Sequence, residues 1–156
     1  MRQLGQVELF SFFALFQETA LQALETRDLE SFVEAVAEPD FDVNKEYGDD
    51  VPRTLIHIAV EEATGHDDFV RVLISAGAKP DTRNPVLETI PFHEAVRKHD
   101  PDLLKLVIRN VRDINIQDGC GSTALHIATE ELIDADQVFS IHQYYFIIYY
   151  QYENGF

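Results

Sequence analysis

Apolar residues recur at helical spacing in two separated stripes, Phe69-Val70-Val72-Leu73-Ile74 and Leu103-Leu104-Leu106-Val107-Ile108. Each is long enough for about two helical turns. A third apolar run, Val7 to Phe16, is interrupted by Glu8 and predicts a packed N-terminal helix. It is too short to span a bilayer, which takes about 20 apolar residues. Ala20 and Ala23 mimic the small residues of a signal cleavage site, but the packed helix is the preferred reading.

The stripes sit inside a longer period. Thr54-Leu55-Ile56-His57-Ile58-Ala59, Ile90-Pro91-Phe92-His93-Glu94-Ala95 and Thr123-Ala124-Leu125-His126-Ile127-Ala128 share one order: threonine or a substitute, any residue, apolar, histidine, any residue, alanine. The histidines are 36 and then 33 residues apart. A second marker keeps step with them, in Phe41-Asp42-Val43-Asn44, Ala78-Lys79-Pro80-Asp81 and Arg112-Asp113-Ile114-Asn115. A fixed period of this length predicts stacked units, because one such unit cannot bury its apolar face alone. Gly77 supplies a left-handed helix stop between markers.

These residues resemble the ankyrin repeat, whose pattern runs threonine-proline-leucine-histidine-x-alanine, a glycine-histidine turn, a second apolar helix, then glycine-alanine. The resemblance extends from about Leu21 to Ile133 and is carried best by Thr54 to Ala59, Gly65-His66, Gly77-Ala78 and Asp118 to Thr123. It implies an all-α solenoid of helix-turn-helix units with hairpin loops, about three to four repeats, the last incomplete. The implied organisation is an N-terminal helical segment at 1–17, a degenerate capping repeat at 18–44, repeats at 45–81 and 82–117, a partial repeat at 118–133, and an aromatic tail at 134–156. Near Thr64 the first turn of the second repeat is longer than the family's by about two residues. In the third repeat Ile90 replaces the threonine cap and Val111 stands where glycine is usual, so both ends of that unit are expected to be weaker.

Composition narrows the class. Of 156 residues 46% are apolar and 26% charged, ordinary globular usage. Twelve Lys and Arg against 28 Asp and Glu leave a net charge of −16. Such a balance repels phosphate backbones and anionic lipid heads, so neither nucleic acid nor direct membrane insertion is expected. Cys120 is the single cysteine, which excludes an internal disulfide and fits a cytoplasmic, reducing location.

No cofactor or metal is expected. His57, His93 and His126 occur once per unit, so their rings stand roughly 10 Å apart, too far to share a zinc ion, whose ligands lie near 2 Å. By the resemblance they hydrogen-bond the neighbouring hairpin, and with Thr54, Ala59, Gly77, Ala95, Thr123 and Ala128 they form the structural motif. Glu61-Glu62, Asp67-Asp68 and Glu130-Glu131 read as a solvated face rather than catalytic pairs, since adjacent residues on a helix point different ways. No phosphate loop, serine elbow or cysteine-histidine pair is present, so the chain is read as no enzyme, catalysis being a distant third. Asn44 and Asn115 occupy the hairpin position that some dioxygenases hydroxylate in this family; turn chemistry is the simpler reading. Cys120, at a hairpin tip without a basic neighbour, is read as incidental.

The expected function is therefore protein–protein interaction through the concave surface of the stack. Register by the resemblance places Lys45, Tyr47, Asp49, Asp50, Arg53, Ile58, Glu61 and Glu62 on that surface in the second repeat. Arg83, Glu88, Glu94, Arg97 and Lys98 follow in the third, and Cys120, Ser122, Ile127, Glu130 and Glu131 in the fourth. The partner-binding residues chosen from these are Tyr47, Arg53, Glu61, Glu62, Arg83, Arg97, Lys98 and Ser122, with Tyr47 and the arginines as anchors. The partner is another protein with a mixed charge pattern. Five of the six tyrosines lie in the tail, whose β-branched and aromatic composition favours strand or self-association over helix. The abrupt break suggests the alternative of a truncated cytoplasmic N-terminal fragment of a TRPA-type cation channel of the painless or pyrexia kind.

Overall fold

The computed structural model describes residues 5–63, 67–86, 88–131 and 146–150. The long turn expected at Thr64-Gly65-His66, Ile133 and most of the tail lie outside them. The described chain is mostly helical. Helices α1 (Gly5–Thr26) and α2 (Leu29–Val36) precede a two-residue hairpin of β1 (Glu46–Tyr47) and β2 (Arg53–Thr54). Then come α3 (Leu55–Glu62), α4 (Asp68–Ser75), α5 (Pro91–Arg97), α6 (Pro101–Ile108) and α7 (Ala124–Glu131). One continuous helix, α1, runs across residues 17 and 18, where the sequence suggested a boundary.

The helices pair in chain order, α1 with α2, α3 with α4, and α5 with α6. Successive pairs then stack: α3 packs on α5 and α5 on α7, while α2 packs on α4 and α4 on α6. First helices thus form one row and second helices another. Between the rows lie Phe32, Leu55, Ile56, Leu73, Ile90, Phe92 and Leu104, all fully buried. Each such side chain contributes about 1.5–3 kcal/mol, against about 0–1 kcal/mol for an exposed ion pair. The apolar periodicity therefore sets the stacking. Phe32 of α2 meets Phe69 of α4 edge to face at 5.0 Å between ring centres.

Each second helix starts on an aspartate. Asp28 accepts from the Ser31 amide at 3.2 Å, Asp67 from Val70 at 3.1 Å, and Asp100 from Asp102 and Leu103 at 2.9 and 3.2 Å. These bonds satisfy amides that have no partner within the helix. Asp67, expected on a solvated face, is buried at 4% exposure and ion-paired to Arg27 at 3.4 Å. Capping draws it inward. Gly77 closes α4 at φ +92°, with its own amide on Ile74 and the Ala78 amide on Leu73, a Schellman pair. Helix α6 ends without a left-handed residue, on Asn110 to Val107 and Val111 to Ile108 bonds.

The tail differs from expectation. Residues 146–150 are helical, not extended, with Ile147 and Ile148 joining the buried core and Phe146 stacked on Tyr150 at 4.7 Å. Burial of one apolar edge outweighs the β preference of its residue types.

Candidate interaction surface

Helix α3 opens on a reciprocal cap. The Thr54 amide donates to His57 Nδ1 at 3.3 Å and the Thr54 hydroxyl lies 2.8 Å from the same nitrogen. An amide can only donate, so Nδ1 is the acceptor and the ring proton sits on Nε2. Thr123 and His126 repeat the geometry at 3.3 and 2.7 Å. In α5, Ile90 has no hydroxyl, and His93 Nδ1 is buried without a hydrogen-bond partner. Its Nε2 lies 2.9 Å from the Ile116 carbonyl of the next hairpin. Burial lowers the pKa of both His57 and His93 from 6.5, against the weaker opposite pull of nearby backbone carbonyls. Ala59, Ala95 and Ala128 are buried where first helices meet, and His126 is exposed.

Neighbouring hairpins are tied side chain to backbone. Asn44 donates to the Gly77 carbonyl at 3.4 Å and accepts from the Lys79 amide at 3.2 Å. Asn84, fully buried, donates to the Pro52 carbonyl at 2.7 Å and accepts from the Val86 amide at 2.8 Å. Arg112 pairs with Asp81 at 2.8 Å. Asn84 and the capping residues Asp28 and Asp100 were not among the positions expected to matter, and Asp67 was expected on a solvated face. Their signal was present: an Asx residue just before each apolar stripe or inside a turn.

Three positions expected on the surface, one of them the expected anchor Tyr47, are buried. Tyr47 is buried at 9% exposure, its hydroxyl 2.6 Å from Gln17 Oε1 and 3.2 Å from the Gln17 carbonyl. It joins the hairpin to α1 instead of facing outward. Ile58 and Ile127 are likewise buried, at 8% and 3%. Both belong to the hydrophobic core.

The remaining positions form a charged edge along α3, α5 and the hairpins. Arg53 pairs with Glu61 at 2.5 Å, and the Lys98 ammonium donates to the Glu61 carbonyl. Arg97 bridges Glu94 and Asp118, both at 3.4 Å. Arg83 donates to the Gln117 carbonyl and to that of Glu88, the latter at 3.3 Å. Glu62 is exposed. Ser122 is half-buried, and its amide donates to Asp118 Oδ1 at 2.9 Å. Burial pushes the Asp118 carboxyl up, but the amides of Ser122 and Cys120 and the charges of His93 and Arg97 outweigh it and hold the pKa below 3.8. Between α3 and α5 this edge dips into a cleft of about 130 Å³.

Among the described residues no three His, Cys, Asp or Glu side chains gather to hold a metal. No described helix is long and apolar enough to cross a membrane.

Residues 53–85 match the family model for the ankyrin repeat. That span covers β2, α3, α4 and the start of the following hairpin. A stretch of 78 residues, half of the chain, is 36% identical to the E3 ubiquitin-protein ligase KEG of Arabidopsis thaliana. The match spans 5% of that protein's length.

Proposed function

We propose that this chain is a non-catalytic interaction module, a solenoid of three to four ankyrin repeats that binds another protein along the edge formed by α3, α5, α7 and their hairpins. One observation carries the reading. In consecutive first helices the recurring residues, His57 and Ala59, then His93 and Ala95, are buried in the stack. The positions four and five residues beyond each histidine carry polar groups that differ from unit to unit, Glu61 and Glu62 after His57 against Arg97 and Lys98 after His93. A scaffold that repeats while its surface varies is how stacked repeats recognise partners. The charged edge favours a partner with both signs of charge, and the lone Cys120 suits a reducing compartment such as the cytoplasm. The ligase activity in the relative's name belongs to a protein of which this match covers a small part; no comparison favours the channel-fragment reading.

The test is a pair of charge reversals on opposite rows. Lys98→Glu with Glu62→Lys alters the proposed edge, and Arg71→Glu with Arg109→Glu alters the second-helix row. Partners captured by the unmodified chain are expected to be lost with the first pair and kept with the second. Equal loss from both, or loss only from the second, would overturn this placement.

A further inference from the structure

Half of the chain's twelve Lys and Arg lie within residues 82–117, although the chain as a whole carries −16. Arg83, Arg97 and Lys98 are engaged by carbonyls and carboxylates, and Arg112 pairs with Asp81. Lys105 and Arg109 remain. With Arg71 of α4 they line a cleft of about 270 Å³ between the second helices α4 and α6, whose walls Asp102 and Leu106 complete.

These cations are only partly answered. Lys105 meets Asp102 at 3.0 Å, and Arg71 lies 3.8 Å from an exposed Asp68. Arg109 is exposed and has no ion pair or side-chain hydrogen bond among the described residues. A cation near a helix C-terminus favours the helix dipole, which accounts for Lys105 in the last turn of α6 and Arg109 at its end. It does not account for Arg71, since the last turn of α4 holds no basic residue. Like charges from two packed helices converge on one opening, an arrangement that an incoming anion relieves.

The spacing selects the anion. Lys105 and Arg109 are four residues apart on α6, which sets their Cβ atoms about 5–6 Å from each other. In an extended peptide, side chains two residues apart share a face at roughly 6.5–7 Å. Carboxylates at alternate positions therefore meet both cations together, with Arg71 reaching the cleft from α4. A nucleic-acid backbone or an anionic bilayer extends beyond the cleft onto α2 of the same row, where Glu30 and Glu34 are exposed. Those carboxylates repel a long polyanion, whereas a short acidic segment needs only the cleft.

We propose that the α4–α6 cleft binds an acidic segment of a partner protein in extended form, with carboxylates at alternate positions. This surface lies on the opposite row from the first-helix edge and acts independently of it. An exposed charge pair changes affinity by less than about fivefold, so the segment exchanges rapidly and is shed on washing. Partners captured through the first-helix edge are retained when Arg71 and Arg109 are reversed.

Titration of the ¹⁵N-labelled full chain with an octapeptide carrying glutamate at alternate positions tests the site, beside a twin peptide with glutamine in their place. The glutamate peptide is expected to shift α4 and α6 amides around Arg71, Lys105 and Arg109. It should bind at least about threefold more weakly in about 0.5 M salt than in about 0.05 M. Arg109→Gln should weaken it about two- to fivefold. Lys79→Gln removes the same charge from an exposed position outside the cleft and should leave affinity nearly unchanged. Arg71→Gln with Lys105→Gln and Arg109→Gln should abolish the shifts with circular dichroism preserved; the single substitution decides if the triple variant fails to fold. Equal weakening by Lys79→Gln and Arg109→Gln, equal shifts from the glutamine peptide, or no shifts at all would overturn the site. Tighter binding of phosphatidylserine vesicles or of an oligonucleotide through the same three residues would overturn it too, assigning the cleft to a membrane or a nucleic acid. The first-helix edge stands or falls separately, by the charge reversals above.

Discussion

The Tyr47 hydroxyl lies 2.6 Å from Gln17 Oε1, tying the β1–β2 hairpin to α1 across thirty residues of chain. Gln17 is itself 5% exposed, so each side chain satisfies the other out of water. Tyr47→Phe keeps the ring and strands the Gln17 amide, and should cost about 1–3 kcal/mol in urea unfolding. Tyr47→Ala also empties the ring's site and should cost about 3–5 kcal/mol. Burial, followed by the charges of Glu18 and Asp42, raises the phenol pKa well above 10. Stability from this group is present below pH 10 and is lost as pH rises toward the folded value. Alkaline titration at 295 nm should show at least one phenol that ionises only as the protein unfolds.

Thr54→Val preserves shape in α3 but removes the hydroxyl that faces His57 Nδ1. A loss of about 0.5–2 kcal/mol is expected, the usual range for a cap. The natural Ile90 at the matching place in α5 predicts the reverse experiment. Ile90→Thr gives His93 Nδ1 a partner while giving up buried carbon, so its cost should be well below that of Thr54→Val, despite Ile90 being fully buried. Thermal unfolding of both variants decides; equal losses would contradict the role assigned to the hydroxyl.

Neutral burial of His57 and His93 gives a pH dependence with a defined sign. Their folded pKa values are lowered from 6.5, so the unfolded chain binds protons first as pH falls. The stability they provide is complete above about pH 6.5 and is lost as pH falls through that value toward the folded pKa. Urea midpoints should drop between pH 7.5 and 5.5, and His93→Gln should flatten that slope. Asp118, with its pKa held below 3.8, acts in a separate window at lower pH.

Glu88 has φ +53°, and a Cβ on Gly119 would fall 2.8 Å from the Glu88 Cβ. Gly119→Ala should therefore destabilise by about 1–3 kcal/mol, an overpacking cost. Glu88→Gly removes both the left-handed strain and the opposing Cβ. In that background Gly119→Ala should be nearly neutral, a coupling that a double-mutant cycle measures directly.

Ile148 is 3% exposed within the helical stretch 146–150. Ile148→Ala should lower stability by about 2–4 kcal/mol, whereas Tyr150→Ala, at a side chain more than half exposed, should change it far less. Similar small effects from both would show that this stretch does not belong to the core.

The stacking order was legible in the sequence because it follows from period. His57, His93 and His126 mark equal places in successive units, and the stripes from Phe69 and Leu103 supply the apolar face that each unit must cover with its neighbour. The capping aspartates were written there as well, at Asp28, Asp67 and Asp100, each immediately before a helix. What only the tertiary structure decided is which variable positions remain at the surface. Tyr47, Ile58 and Ile127 stand where repeat register alone puts an exposed side chain, yet Tyr47 is held against α1 through Gln17, and the two isoleucines are buried in the core. Periodicity is a local property that a linear chain carries within itself; burial and hydrogen-bond satisfaction are set by which distant segment arrives, and at what distance.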